Sequence, residues 1–260
     1  MPRNLFLLRS AYVLLFVGVI AVNGAANALP INGLTTGAIS ELYPNLFTPA
    51  GFAFSIWGLI YSGLLAFLIK ILMTSDTAIV SRLFPWFAIN SLANMAWIFV
   101  WHYLQVVTSL VLMLVLLTSL IYLTAELRSS TRPSKEIRFF KAVFEVYLGW
   151  ITVATVANFT ALLVAFNWNA LGINEEHWML IILPVIVVIA TVMYFKQTST
   201  VYLLPIIWAL YGIYTKHLGV FQGQFPLVIT AVKLSIAALI LSIIIKNRRW
   251  LKVLRVLNIV

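Results

Sequence analysis

The chain contains no cysteine, which excludes disulfides, thiolate metal sites and cysteine nucleophiles and leaves the redox compartment unspecified. Charge is scarce too: 9% of the 260 residues are Asp, Glu, Lys or Arg, against roughly 25% in soluble domains. Three histidines and seven carboxylates offer a metal centre or an acid–base pair little to draw on. No Ser–His–acid set, metal-ligand spacing or paired carboxylates falls within the apolar stretches. The densest polar cluster, Glu175-Glu176-His177, sits in a short connection, where solvated side chains are the ordinary case. The sequence therefore reads as non-enzymatic, with no metal and no certain cofactor. What it has in abundance is hydrophobic side chain, 63% of the residues.

That apolar content is organised in stretches of the roughly 20 residues a membrane helix needs. Eight occur, at 11–29, 50–73, 83–103, 106–125, 142–166, 178–195, 201–215 and 226–245. A tight turn near His102–Gln105 separates the third from the fourth, and the seventh is short and contains Pro205. The fold class expected is all-α, a polytopic membrane helical bundle of about eight transmembrane helices. The basic residues supply the orientation. With the N-terminus cytoplasmic, all but two of the 17 Lys and Arg fall on the cytoplasmic side, the exceptions being Lys216 and Lys233. This alternation is what the positive-inside rule expects. It predicts a multi-pass protein of the cell membrane with both termini cytoplasmic. The net charge of +10 thus belongs to membrane topology, and no nucleic-acid partner is expected.

Two segments admit a second reading. Arg3 and Arg9, an apolar run and Ala26-Asn27-Ala28 resemble a cleavable signal, but the apolar core exceeds the usual 7–15 residues or so. From Lys246 onward, Arg248, Lys252 and Arg255 share one helical face, while Trp250, Leu251, Leu254 and Leu257 fall largely on the other. Residues 246–260 are read as a basic cytoplasmic tail lying on anionic headgroups, the simpler alternative being a stop-transfer cluster.

Polar and aromatic residues inside the spans are few, and their spacing orders them. Trp150, Ala154 and Asn158 recur at steps of four and share a helical face. Asn90, Asn94, Trp97 and Trp101 make a similar stripe. Trp57 and Tyr61 lie one turn apart on the second span. Indole offers a flat apolar surface with one donor, and carboxamide offers two donors and an acceptor. Two such stripes facing each other would suit a large, flat, mostly apolar ligand with polar edges. The plainer alternative is Asn as interhelical glue, worth about 1 kcal/mol, with Trp marking the membrane surface. Trp178, at a span boundary, reads as such an anchor.

Taken in order, Trp57-Gly58-Leu59-Ile60-Tyr61, then Asn94-Met95-Ala96-Trp97, then Trp150 with Ala154 and Asn158 resemble the motifs of the TspO/MBR family. These are the tryptophan-rich sensory proteins and mitochondrial translocator proteins. The resemblance covers roughly residues 10–166. It implies a TspO-like five-helix bundle (residues 1–166) with a pocket opening toward the first loop. The ligands it implies are porphyrins, haem-pathway tetrapyrroles, sterols and synthetic aromatic compounds. Carried over residue by residue, the ligand-binding set is Trp57, Tyr61, Asn94, Trp97, Trp150, Ala154 and Asn158, with Phe52 a further candidate in the loop. A porphyrin or haem-like ligand is thereby suggested, and a homodimer is compatible with it.

The sequence also departs from the family. Its double proline and following Trp are replaced by Thr48-Pro49-Ala50-Gly51-Phe52. The sterol pattern after the fifth helix is broken at Phe159. Three further spans (residues 167–245) lie beyond the motifs. Among them, Ile207-Trp208-Ala209-Leu210-Tyr211 faintly echoes the residues around Trp57, Pro184 and Pro205 are expected to kink their helices, and Lys233 is the one cation well inside a span. The function expected is a membrane protein of the sensory or translocator type that binds, and could move, an apolar aromatic or tetrapyrrole-like ligand. The alternatives are a secondary transporter of a small solute and a non-catalytic membrane assembly subunit.

Overall fold

The computed structural model describes residues 3–29, 31–129, 134–196 and 198–256. Among them the regular elements are all helical. They are α1 (Arg3–Ala28), α2 (Thr36–Glu41), α3 (Ile56–Met73), α4 (Thr77–His102), α5 (Val106–Arg128), α6 (Lys135–Ala165), α7 (Glu175–Lys196), α8 (Thr200–Gly219) and α9 (Pro226–Val256). Short 3-10 turns stand at Ile31–Gly33, Gly51–Ser55 and Ala170–Gly172. All the long helices except α8 are long and apolar enough to cross a membrane, so the chain is a multi-pass membrane protein.

The helices begin and end where local chemistry dictates. Asp76 caps α4 by accepting from the Ile79 amide at 3.1 Å, and Ser134 caps α6 through the Ile137 amide at 3.2 Å. Such caps supply acceptors to amides that the first turn leaves free. Between α4 and α5 the chain reverses at Leu104, which takes a left-handed φ of 58°. Pro184 and Pro205 lie inside continuous helices.

Five helices close on themselves: α1 packs on α4, α4 on α5, α5 on α6, α6 on α3, and α3 on α1. The remaining three form a block attached through α8, which packs on α6 while α9 lies against both α7 and α8. Helix α8 is the seventh long helix in chain order, and its 20 residues span about 30 Å. Tyr202, Trp208, Tyr211, Tyr214, Lys216 and His217 make it more polar than the rest. The reason it can be so is burial: Tyr202, Leu203, Ile206, Ala209, Leu210 and Ile213 have essentially no exposure. A helix whose neighbours are protein need not be apolar all round.

One glycine makes the α6–α8 crossing. A Cβ at Gly149 would lie 2.2 Å from the Tyr202 carbonyl oxygen and 3.2 Å from Pro205 Cγ. The same junction buries Glu145, whose carboxylate accepts from the Ser199 amide at 2.9 Å and from the Ser199 hydroxyl, with Lys141 at 3.6 Å. A carboxylate at the start of α8 also meets the positive end of the helix dipole.

The two ends of the bundle differ in charge. One carries Lys70, Arg82, Arg128, Lys196 and Lys246, linked by Arg82 to Glu126 at 3.6 Å and by Arg128 to the Lys196 carbonyl at 2.9 Å. The other carries Glu41, Glu175, Glu176, Lys216 and all three histidines. At the basic end α9 continues helical to Val256. The side chains of residues 249–256 and the whole of 257–260, with Arg132 of the α5–α6 connection, lie outside the described residues, so the reading of the tail as an interfacial face rests on sequence.

Candidate ligand cavity

The connection from α2 to α3 folds over the acidic end of the five-helix ring. Asn45 shapes it: its Oδ1 accepts from the amides of Phe47 at 2.9 Å and Thr48 at 2.8 Å, and from the Thr48 hydroxyl at 3.1 Å. Its Nδ2 donates to the Tyr43 carbonyl at 2.7 Å. A single side chain thus holds the turn together, which is the usual service of Asn in loops. Leu46, Phe47, Thr48 and Ala53 are buried beneath it, so residues 44–55 form a lid with an inward apolar face.

Under this lid, between α3, α4 and α6, lies a cavity of about 60 Å³ walled by Trp57, Trp97, Trp101, Trp150, Ala154 and Asn158. Thr36, Phe54, Trp57 and Trp97 also border a second cavity of about 200 Å³ that reaches Asn23, Asn27 and Tyr61. The aromatic walls are ordered. Trp97 stacks on Trp101 at 5.7 Å and 14°, and Trp57 on Tyr61 at 5.3 Å and 20°. Trp150 meets the edges of Trp57 at 6.3 Å and Phe54 at 5.8 Å.

Hydrogen bonding divides the indoles. Trp101 donates to the Thr36 carbonyl at 3.2 Å, which ties α2 to α4. The indole nitrogens of Trp97 and Trp150 and the hydroxyl of Thr36 are buried and have no partner among the described residues. Asn158 accepts from the Ser109 hydroxyl at 3.0 Å, and no partner within the described residues takes its amide nitrogen. A buried donor without a partner costs about 1–3 kcal/mol. Trp97 and Trp150 both line the smaller cavity, and no Asp, Glu, Lys, Arg or His lines it.

Five of the residues singled out in the sequence, Trp57, Trp97, Trp150, Ala154 and Asn158, meet in that cavity, and Tyr61 lies in the adjoining one. Asn94 faces neither. It accepts from Asn23 at 2.7 Å and donates to the Tyr147 hydroxyl at 3.0 Å, so it joins α1, α4 and α6 beneath the cavity floor. Asn90, on the same stripe, donates to Ser119 of α5 at 2.9 Å. Phe52 lies on the outer side of the lid, 43% exposed, with its ring 5.3 Å from Trp208 and 6.0 Å from Tyr211.

Sequence reasoning passed over Asn23, Thr36 and Phe54, while Tyr147 stands among the polar residues of the fifth span without a role assigned to it. Asn23 carries a usable signal, a polar side chain in the middle of a span. Thr36, at the start of the short α2, and Phe54 stand between the long helices, where spacing says nothing about direction. Lys233, the isolated cation, is exposed and lies 5.4 Å from the centre of the Tyr214 ring. It is far from Glu145, which is held by Ser199 on the basic side.

Comparison with protein families matches residues 9–245 to a family described as TSPO-like protein. The match runs beyond the motif-bearing residues 10–166 and takes in α7, α8 and most of α9. No curated protein and no solved structure matches the chain.

Proposed function

The chain belongs to the TSPO-like protein family, and from that premise we propose that it binds a neutral, flat, apolar ligand bearing hydrogen-bond acceptors in the cavity beneath the lid. The observation that carries this reading is the pair of buried, unpartnered indole N–H groups of Trp97 and Trp150 on the walls of one cavity. An acceptor on the ligand would satisfy each, and the ring faces would cover the rest of its surface. Asn158 offers a third donor. The absence of an ionisable side chain around the smaller cavity supports binding without chemistry, and disfavours ligands that bring a fixed charge inside.

Size refines the ligand class. Cavities of about 60 and 200 Å³ fall below the roughly 300–1,000 Å³ of drug-sized sites. With the lid closed they suit a small aromatic molecule, whereas a tetrapyrrole needs the lid displaced. Whether the ligand is sensed or moved, the same cavity serves. A secondary transporter would call for facing charges at mid-membrane, and the separation of Lys233 from Glu145 weighs against it. The protein is proposed to sit in the cell membrane with its basic end and both termini cytoplasmic.

The test is a pair of substitutions, Trp97→Phe and Trp150→Phe, that keep an aromatic wall and remove the donor. Fluorescence titration with a neutral aromatic amide, and separately with protoporphyrin, should show affinity for the amide falling about five- to tenfold in each variant, the worth of one hydrogen bond of about 1 kcal/mol. Unchanged titrations in folded variants would remove the cavity from consideration.

A further inference from the structure

The lid has two sides, and the outer one is held by α8. The Ala50 amide donates to the Gly212 carbonyl at 3.1 Å. The Trp208 indole donates to the Ala53 carbonyl at 2.9 Å. One end of the lid is fixed by His217, whose Nε2 lies 3.0 Å from the Leu46 carbonyl oxygen and so carries the proton it donates. These three bonds follow the lid from Leu46 to Ala53 along successive turns of one helix. Each uses a backbone group of the lid rather than one of its side chains.

Packing reinforces the bonds. A Cβ on Gly212 would lie 2.8 Å from Ala53 Cβ and 2.9 Å from Pro49 Cβ, so the lid rests directly on the backbone of α8. Phe52 closes the edge against Trp208 and Tyr211. The far side of α8 is in turn set against α9 and α6, and Glu145 fixes its start. The lid is therefore backed by a helix that is itself clamped on three sides.

We propose that α8 is a built-in brace that holds the 44–55 lid down on the cavity, so that passage of a ligand under the lid requires Leu46, Ala50 and Ala53 to part from His217, Gly212 and Trp208. The brace explains why the cavities are small, since the lid cannot rise while three of its carbonyl and amide groups are engaged. It also gives the three helices after residue 166 a part in ligand selection: α8 limits what can pass, and α9 and Glu145 keep α8 in place. This inference rests on the cavity reading for its purpose, but the lid–α8 contacts stand independently of any ligand.

The lack of native cysteine makes a direct test available. Thr48 lies on the lid, lines the cavity and is 6% exposed, so Thr48→Cys reports lid opening through its rate of reaction with a maleimide. In that background, Trp208→Phe removes one donor and keeps the ring, and His217→Ala removes another. Each should speed labelling about fivefold, as expected for one lost hydrogen bond in an opening equilibrium. Gly212→Ala should do so by wedging the lid. Leu218→Ala, on an exposed position of α8, serves as the control and should leave the rate unchanged. Equal rates in the parent and in folded Trp208→Phe and His217→Ala chains would overturn the brace. Labelling is read with no ligand present, so a cavity that binds nothing would defeat the functional reading and leave this result standing.

Discussion

His217 concentrates more of this structure's chemistry than any other single residue. It has no exposure, it holds the Leu46 carbonyl, and its Nδ1 has no partner among the described residues. Lying past the apolar stretch of α8, it is pushed below its usual value, chiefly by burial. The Leu46 hydrogen bond and the Glu176 carboxylate of α7 pull it up, and the neighbouring Lys216 ammonium pushes it down. The rings of Phe221 and Phe225 close the remaining sides. A histidine with a depressed folded-state pKa stabilises the fold above its unfolded value of about 6.5, and that contribution is lost as pH falls through the folded value. The melting temperature should therefore drop between pH 7.5 and 5, and it should drop less in His217→Gln, because glutamine can donate to Leu46 without titrating. Equal pH dependence in the two proteins would contradict this. The neighbouring Lys216 is also lowered, by burial against the upward pull of Glu41.

Among elements, the crossing of α6 and α8 is the most exacting. The Tyr202 carbonyl occupies the space of a Gly149 side chain, and a backbone group cannot swing aside as a flexible side chain would. Gly149→Ala should push α8 off α6 and cost about 1–3 kcal/mol, the range for overpacking, or more where the whole block shifts. A lowered melting temperature in detergent, with the Thr48→Cys reporter labelled faster, would register both effects. The elements themselves were largely legible from the sequence, because runs of apolar residues bounded by basic clusters leave little choice of architecture in lipid. So were Trp57, Trp97, Trp150, Ala154 and Asn158, since steps of three and four place them on common faces. Periodicity names a face but not the neighbour it meets. Asn94 shares its stripe with Trp97, yet it lies a turn away in the Asn23–Asn94–Tyr147 bridge, none of whose members lines the smaller cavity. The hold of α8 on the lid was not legible at all. Its bonds join residues 155 and 171 positions apart and accept at backbone carbonyls, which no side-chain pattern marks.

Viewed whole, the molecule is a closed ring of five helices with a three-helix block fastened to one wall, and its two ends are electrically unlike. If the basic end is cytoplasmic, an impermeant thiol reagent added to intact cells should label a cysteine at Asn174, in the α6–α7 connection, and spare one at Ser129, at the end of α5. The reverse pattern would invert the proposed topology. The placement of the brace late in the sequence has a consequence for how the protein is made. A chain synthesised from its N-terminus completes the ring and its aromatic chamber well before Trp208, Gly212 and His217 leave the ribosome. Until α8 inserts, the newborn protein has a chamber with an unfastened cover, and its last helices are the ones that shut it. The order of manufacture thus separates a period of open access from the finished state, a division in time that the closed structure alone does not display.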